Sequence, residues 1–250
     1  MAAPLFVWRQ TDTSSVNGVA LRAGVHLRLA SRGAFFKGAG VRKDDAGSGN
    51  LPCVRYGELY TIHHDVVRTF SSFISPAVAA KARPVRAGDI LFAGSGETKA
   101  EIGKCAVVVH NGDAYAGGDI IVFRPQLDDG IFLAYLLNAP AAQAQKARSG
   151  QGDAVVHIGG AALGNIEIRL PVRKEQQAIA TLLEDMEAEI QAFEARLGKA
   201  RAFKQGMMQS LLTGRVRLPG FAPAEKFIEA AERARSASPN AGRRSVSCAS

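Results

Sequence analysis

Three short segments carry residue types that could do chemistry. His63-His64-Asp65 sets two imidazoles beside a carboxylate, a group suited to metal ligation or to general acid–base work. Ala93 to Lys99, AGSGETK, has the small residues and hydroxyls of a phosphate cradle. His157 stands alone in VVHIGG. Each is read as structural. Neighbouring residues on a strand point to opposite faces, so His63 and His64 are not expected to converge. AGSGETK is expected to be a strand-to-loop turn, and His157 a strand residue where the domain meets the helix that follows. GAFFKGAG, Gly33 to Gly40, lacks the Lys that a phosphate loop carries after its glycine. Cys53, Cys105 and Cys248 are odd in number and far apart, so neither a disulfide framework nor a zinc site is indicated. The chain is expected to be non-catalytic, with no metal and no cofactor.

What, then, do the elements around these residues position? Of 250 residues, 47% are hydrophobic and 22% charged, enough for one cored domain with an appendage. No apolar run approaches a membrane span, and MAAPLFVWRQTDTSS does not read as a signal peptide. A cytoplasmic location is the default expectation. Net charge is +8, but residues 1–170 contribute +4, residues 171–204 none, and residues 205–250 the other +4. A polyanionic partner is therefore only weakly indicated by charge.

Residues 1–18 are expected to form a loosely ordered lead-in. From Val19 to Leu170, short β-branched runs separated by Gly, Asp, Asn and Pro predict strands: VALRAGVHLRLA, LPCVRYGELYTI, AGDILFAGS, IGKCAVVVHNGD, GGDIIVFRPQ and IEIRLP. Asp129 to Ala147 reads as one or two short helices. The expected class is α+β, a strand-rich domain over residues 19–170 followed by a long helix over 171–214. Gly214 stands where a left-handed residue would end that helix, and Pro219 blocks its continuation. The tail, 215–250, is basic and expected to be disordered.

The long helix has its own pattern. Ile179, Leu183, Met186, Ile190, Phe193, Leu197, Ala200, Lys204, Met207 and Leu211 alternate spacings of four and three, the rhythm of a coiled-coil seam. Leu182, Met208 and Leu212 widen the stripe toward a bundle contact. Acids (Glu184, Asp185, Glu187, Glu189, Glu194) fill the first half, and bases (Arg196, Lys199, Arg201, Lys204) the second. Antiparallel pairing sets unlike charges side by side, although the same distribution also suits the helix dipole. From Ile179 to Leu211 such a helix is about 50 Å long. An antiparallel pair would make a dumb-bell able to gauge two DNA half-sites roughly 14 base pairs apart.

IEIRLP-x3-EQ-x2-I, Ile166 to Ile179, followed by the heptad helix and by KQGMMQSLLTGRVRL, Lys204 to Leu218, resembles the conserved region of type I restriction–modification specificity subunits. Upstream, PCVRYGELYT, AGDILFAGSGET, AGGDIIVFRP and AVVHIGGAALGNIEI look like the framework of a target-recognition domain in that family. Full subunits carry two recognition domains and two conserved helices arranged antiparallel. One of each stands here, so the resemblance implies a half-length form: a homodimer, or a pairing with another half-subunit, that reads a symmetric gapped target in double-stranded DNA. The implied partners are methyltransferase subunits and an ATP-dependent restriction subunit. No Asn/Asp-Pro-Pro-Tyr/Phe amino-methyltransferase signature is present, which agrees with a non-catalytic role. An inactive fragment, a coiled-coil adaptor that binds no DNA, and an enzyme using AGSGETK on a phosphorylated ligand remain alternatives.

Base-edge chemistry selects the candidates for DNA contact: Lys37, Arg42 and Lys43 in FFKGAGVRKDD, Lys99 in GSGETKAE, and Arg148 and Gln151 in ARSGQGD. The expected dimer seam is Ile179, Leu183, Met186, Ile190, Phe193, Leu197, Met207 and Leu211. The expected methyltransferase contact is Leu182, Met208 and Leu212.

Overall fold

A computed structural model describes residues 25–152 and 154–218, with 221, 228–229 and 232–233. The lead-in 1–18 and most of the tail 215–250 lie outside the described residues. The chain divides into two compact units, Met1–Asp185 and Met186–Ser250. The first, called the head below, is built in chain order from β1 (Val25–Arg28), β2 (Gly33–Lys37), β3 (Leu51–Val54), α1 (Glu58–Thr61), β4 (Val66–Val67), β5 (Ser72–Ile74), α2 (Pro76–Ala79), β6 (Arg83–Val85), β7 (Ile90–Ala93), β8 (Ser95–Gly96), β9 (Cys105–Val108), β10 (Ala114–Ala116) and β11 (Ile120–Pro125). There follow α3 (Gly130–Asn138), α4 (Pro140–Ser149), β12 (Val156–His157), α5 (Gly160–Gly164), β13 (Glu167–Leu170) and the first turns of α6 (Arg173–Leu212). The class is α+β, a strand-rich domain with one long C-terminal helix.

A five-stranded sheet, β2-β11-β7-β9-β4, forms the centre and is antiparallel except where β4 meets β9. Its middle strands are continuous apolar runs (ILFA, CAVV, IIVF) because both faces are covered. Alternate residues go to different cores. Ile90, Phe92, Cys105, Val107, Ile121 and Phe123 face the cluster completed by Phe132, Leu133 and Leu137 of α3. Leu91, Ala93, Ala106, Val108, Ile120 and Val122 face a second cluster with Val54, Val85, Ala114 and Ala116 of the four-stranded sheet β5-β3-β10-β6.

Two local details differ from the strand pattern read in the sequence. LPCVRYGELYTI is strand only over Leu51–Val54; α1 takes up the second half, where the Glu58 carboxylate turns back to accept the Arg55 N–H at 3.3 Å. His63-His64-Asp65 follows α1 in irregular backbone and is not on a strand. The side chains nonetheless diverge: His63 is buried, His64 exposed, and Asp65 accepts a hydrogen bond from Asn138. The Asp129–Ala147 segment forms two helices. Asp129 caps α3 by accepting the Phe132 N–H, and Pro140 starts α4 because proline is tolerated at a first helical position but not within a helix.

β1 pairs antiparallel with β13, so the start of the described chain lies beside the strand that leads into α6. Pro171 breaks the strand, and α6 then runs for 40 residues. Gly214 takes φ +73 just past its end, its N–H donating to the Leu211 carbonyl. Among the described residues no helix is long and apolar enough to cross a membrane.

Candidate nucleic-acid interface

Edge strand β2, GAFFK, places consecutive aromatic rings on opposite faces of the central sheet. Phe35 packs on Phe123 at a centroid distance of 4.7 Å and joins the first core. Phe36 lies on the other face, with the Arg83 guanidinium 5.7 Å and the Arg124 guanidinium 5.3 Å from its ring centroid, both within cation–π range. Arg124 is held there by Asp89, a buried carboxylate that takes both ends of the guanidinium fork at 2.7 Å. Asp89 is itself placed by the turn before β7: Gly88 has φ +89, and the Arg86 N–H donates to Asp89 Oδ2 at 2.9 Å. Arg83, on edge strand β6, donates from Nε to the Lys37 carbonyl at 3.2 Å. These contacts line a cavity of about 590 Å³ bordered by Phe36, Arg83, Arg86, His110 and Arg124.

A second cavity of about 590 Å³ is lined by Lys37, Ser95, Asp119, Ser149, Gln151 and His157, with Phe36 shared between the two. The strand pair β8–β12 forms its wall, and there Ser95 Oγ and His157 Nδ1 are 3.0 Å apart. AGSGETK is thus strand as far as Gly96 and a turn beyond it, the strand-to-loop passage expected from the sequence. Gly94 approaches the Asp119 backbone so closely that a Cβ would sit 2.8 Å from its carbonyl oxygen, and Ser95–Gly96 pairs with β12. His157 is a strand residue. Gln151 closes the cavity through two backbone hydrogen bonds to His157, 2.9 and 2.7 Å.

Lys37 and Gln151, chosen from separate loops of the sequence, therefore border one cavity. Lys37 ends a strand instead of lying in a loop. Arg42 is exposed, and its N–H is bound by Asp45 at 2.7 Å. Lys43 opens a short 3-10 turn, and its side chain is outside the described set. The same loop passes Lys81, because a Cβ on Gly40 would meet the Lys81 carbonyl at 2.7 Å. Lys99 and Arg148 are exposed and line neither cavity. Sequence reading missed Arg83, Arg86 and Arg124. The signal was present in RPVRAGD: two arginines three apart flank a strand too short to bury them. Among the described residues the ion pairs are Arg32–Asp128, Arg124–Asp89, Arg68–Glu184 and His63–Glu58, which leave Lys37, Lys81, Arg83 and Arg86 without a carboxylate partner.

The motif IEIRLP-x3-EQ-x2-I has a physical basis. Gln176 is buried at the start of α6 and makes three contacts: Nε2 donates to Asp128 Oδ1 at 3.0 Å and to the Pro171 carbonyl at 2.9 Å, and Oε1 accepts the Asp129 N–H at 2.9 Å. Asp128 also takes Arg32 at 2.7 and 2.9 Å. Burial pushes the Asp128 carboxyl up, but hydrogen bonds from Arg32 and Gln176 and the charges of Arg32 and Arg173 together hold it below the usual aspartate value. Ile179 packs against the first core and Leu183 is half-buried. Farther along α6, Met186, Ile190, Phe193 and Leu197 are each about half exposed, and Met207, Met208 and Leu212 also reach solvent. Leu182 is exposed too; Leu211 is intermediate.

Residues 33–198, more than half of the chain, match the family model for the type I restriction modification DNA specificity domain. No curated protein matches. Among solved structures the chain is similar to the S subunit of a type I restriction-modification system from M. genitalium, at 14% identity and TM-score 0.53, over 79% of this chain and 47% of that one. It is equally similar (19% identity, TM-score 0.53, 78% and 46% coverage) to a chain from a study of assembly and conformational transition of the type I R-M system. It thus shares their fold over about half their length. With most of the head, the Gln176 motif and the first two-thirds of α6 inside the matched span, the chain belongs to the family of type I restriction–modification DNA specificity subunits.

Proposed function

We propose that this chain is a sequence-specific DNA-recognition subunit, acting in the cytoplasm as a homodimer joined by antiparallel α6 helices. Residues 19–170 serve as the target-recognition domain and 171–214 as the conserved helix. Two heads related by a two-fold axis would read a bipartite symmetric target. The observation that carries the reading is the placement of cations without a carboxylate ion pair at two cavities on a head of this family, Lys37 at one and Arg83 with Arg86 at the other. Cations without internal carboxylates gain most from phosphates, and Lys37 and Gln151 are suited to base edges. Arg42, Lys43, Lys99 and Arg148 are retained as backbone contacts. Methyltransferase docking is assigned to exposed Leu182, Met208 and Leu212, and recruitment of the restriction subunit follows through that complex. The test is a gel shift with the cognate methyltransferase, followed by a methylation readout on random-sequence DNA. Methylation confined to one symmetric gapped sequence supports the proposal, and methylation without sequence preference refutes it.

A further inference from the structure

The exposed part of the α6 stripe, together with its unspent charges, specifies how a second copy would lie on it. Ile179 is packed on the head's own core and Leu183 is half-buried, so the seam left open runs from Met186 to Leu211. Of the acids and bases along it, none forms an ion pair among the described residues; Glu184, just before it, is taken by Arg68. Acids and bases are segregated along the helix, which puts them out of reach of one another.

In an antiparallel coiled coil each a-type residue faces a d-type residue of the other chain, and two registers cover the whole of this stripe. One sets Met186 on Leu211, Ile190 on Met207, Phe193 on Lys204 and Leu197 on Ala200. The other, shifted by a heptad, sets Phe193 on Leu197 and Ile190 on Ala200, and to complete itself needs Ile179 and Leu183, which are already half-buried. Flanking charges separate the two. In the first, Glu194 faces Arg201 of the second copy on both sides of the axis. In the second, Glu194 faces Glu194 and Arg196 faces Arg196. The first register also lays the lone polar seam residue, Lys204, over the ring of Phe193, where its stem packs on the ring and its ammonium meets the π-face.

We infer that a second copy of this chain covers Met186–Leu211 in the register that pairs Phe193 with Lys204 and Leu197 with Ala200. The inference rests on the dimer reading above. Its test uses the full chain with Cys248→Ser. Three forms are oxidised mildly: Ile190→Cys with Met207→Cys, Ile190→Cys with Ala200→Cys, and Ile190→Cys alone. The first should give the covalent dimer and the others little. Crosslinking chiefly by the second keeps the dimer and overturns the register. Crosslinking by the single variant means a parallel pair and overturns the inference. A chain that is monomeric by light scattering at micromolar concentration overturns both inference and dimer. As a check free of cysteines, Glu194→Arg should weaken dimerisation about tenfold, and adding Arg201→Glu should restore it. A double variant weaker than the single, as the other register requires, refutes the assignment.

Discussion

Replacing Gln176 tests whether the start of α6 is clamped to the head as the geometry indicates. The side chain is 1% exposed, and its amide donates to Asp128 and the Pro171 carbonyl while accepting from the Asp129 N–H. Gln176→Leu keeps the volume and leaves a buried N–H without an acceptor. An orphaned buried group costs about 1–3 kcal/mol, so a loss of about 2–4 kcal/mol is expected over the set. Gln176→Glu is nearly isosteric but turns the donor toward Asp128 into a carboxyl. Asp128 stays ionised to below the usual aspartate range because Arg32 and Gln176 outweigh its burial. The introduced carboxyl beside it must then have a raised pKa in the folded state. A group whose folded pKa exceeds its unfolded value, about 4.3, favours folding below that value and loses this contribution as pH rises through the folded pKa. With a rise of about two units, Gln176→Glu should be close to wild type at pH 4 and about 3 kcal/mol less stable at pH 8. Urea unfolding followed by circular dichroism at both pH values reads this as a midpoint shift of about 1.5 M at pH 8, for a slope of about 2 kcal/mol/M. An equal shift at both pH values, or a Gln176→Leu variant as stable as wild type, refutes the clamp.

Arg83→Ala with Arg86→Ala should leave the fold intact and weaken DNA binding at all sequences, lowering the slope of log K against log salt by roughly one per lost phosphate contact; an unchanged salt slope in fluorescence anisotropy places the DNA elsewhere. Ile190→Asp with Leu197→Asp should abolish dimerisation while the head keeps its unfolding midpoint, read by light scattering and urea titration; retained assembly means that the seam lies on another face. Asp89→Ala removes the partner of a half-buried guanidinium and should cost about 2 kcal/mol in thermal or chemical unfolding, less than a fully buried pair because Arg124 is about a third exposed. Burial pushes the Cys53 thiol up to about 11 and the Cys105 thiol up to about 12, so neither should react with a disulfide reagent at pH 8 in the folded protein, and mapped modification of either means the cores open.

Particular residues show why part of this molecule was legible in its sequence. The heptad of α6 is a local repeat: spacing alone puts Met186, Ile190, Phe193 and Leu197 on one face, so the apolar stripe needed no tertiary information. Gly214 after the helix acts through its own backbone and was readable for the same reason. The strand runs were visible as apolar segments, whereas α1 was not, because a single helical turn stabilised by Glu58 has no period to detect.

The interface is a different matter. Phe36, Arg83, Asp89 and Arg124 lie on three strands and a turn, and they meet only because β2 and β7 flank β11 while β6 joins the facing sheet. Nothing in RPVRAGD says which ring its first arginine will cover. Gln176 was conspicuous as a motif letter, but its role depends on Asp128, 48 residues earlier. The same holds for the upper end of the stripe: periodicity counted Ile179 and Leu183 with the rest, and only the folded head shows that they are partly buried. Sequence by itself determined the elements that repeat or cap locally, since those follow from backbone geometry over a few residues. Tertiary structure decided which charges remain without a partner, because that depends on which distant carboxylates the strand pairings bring within reach.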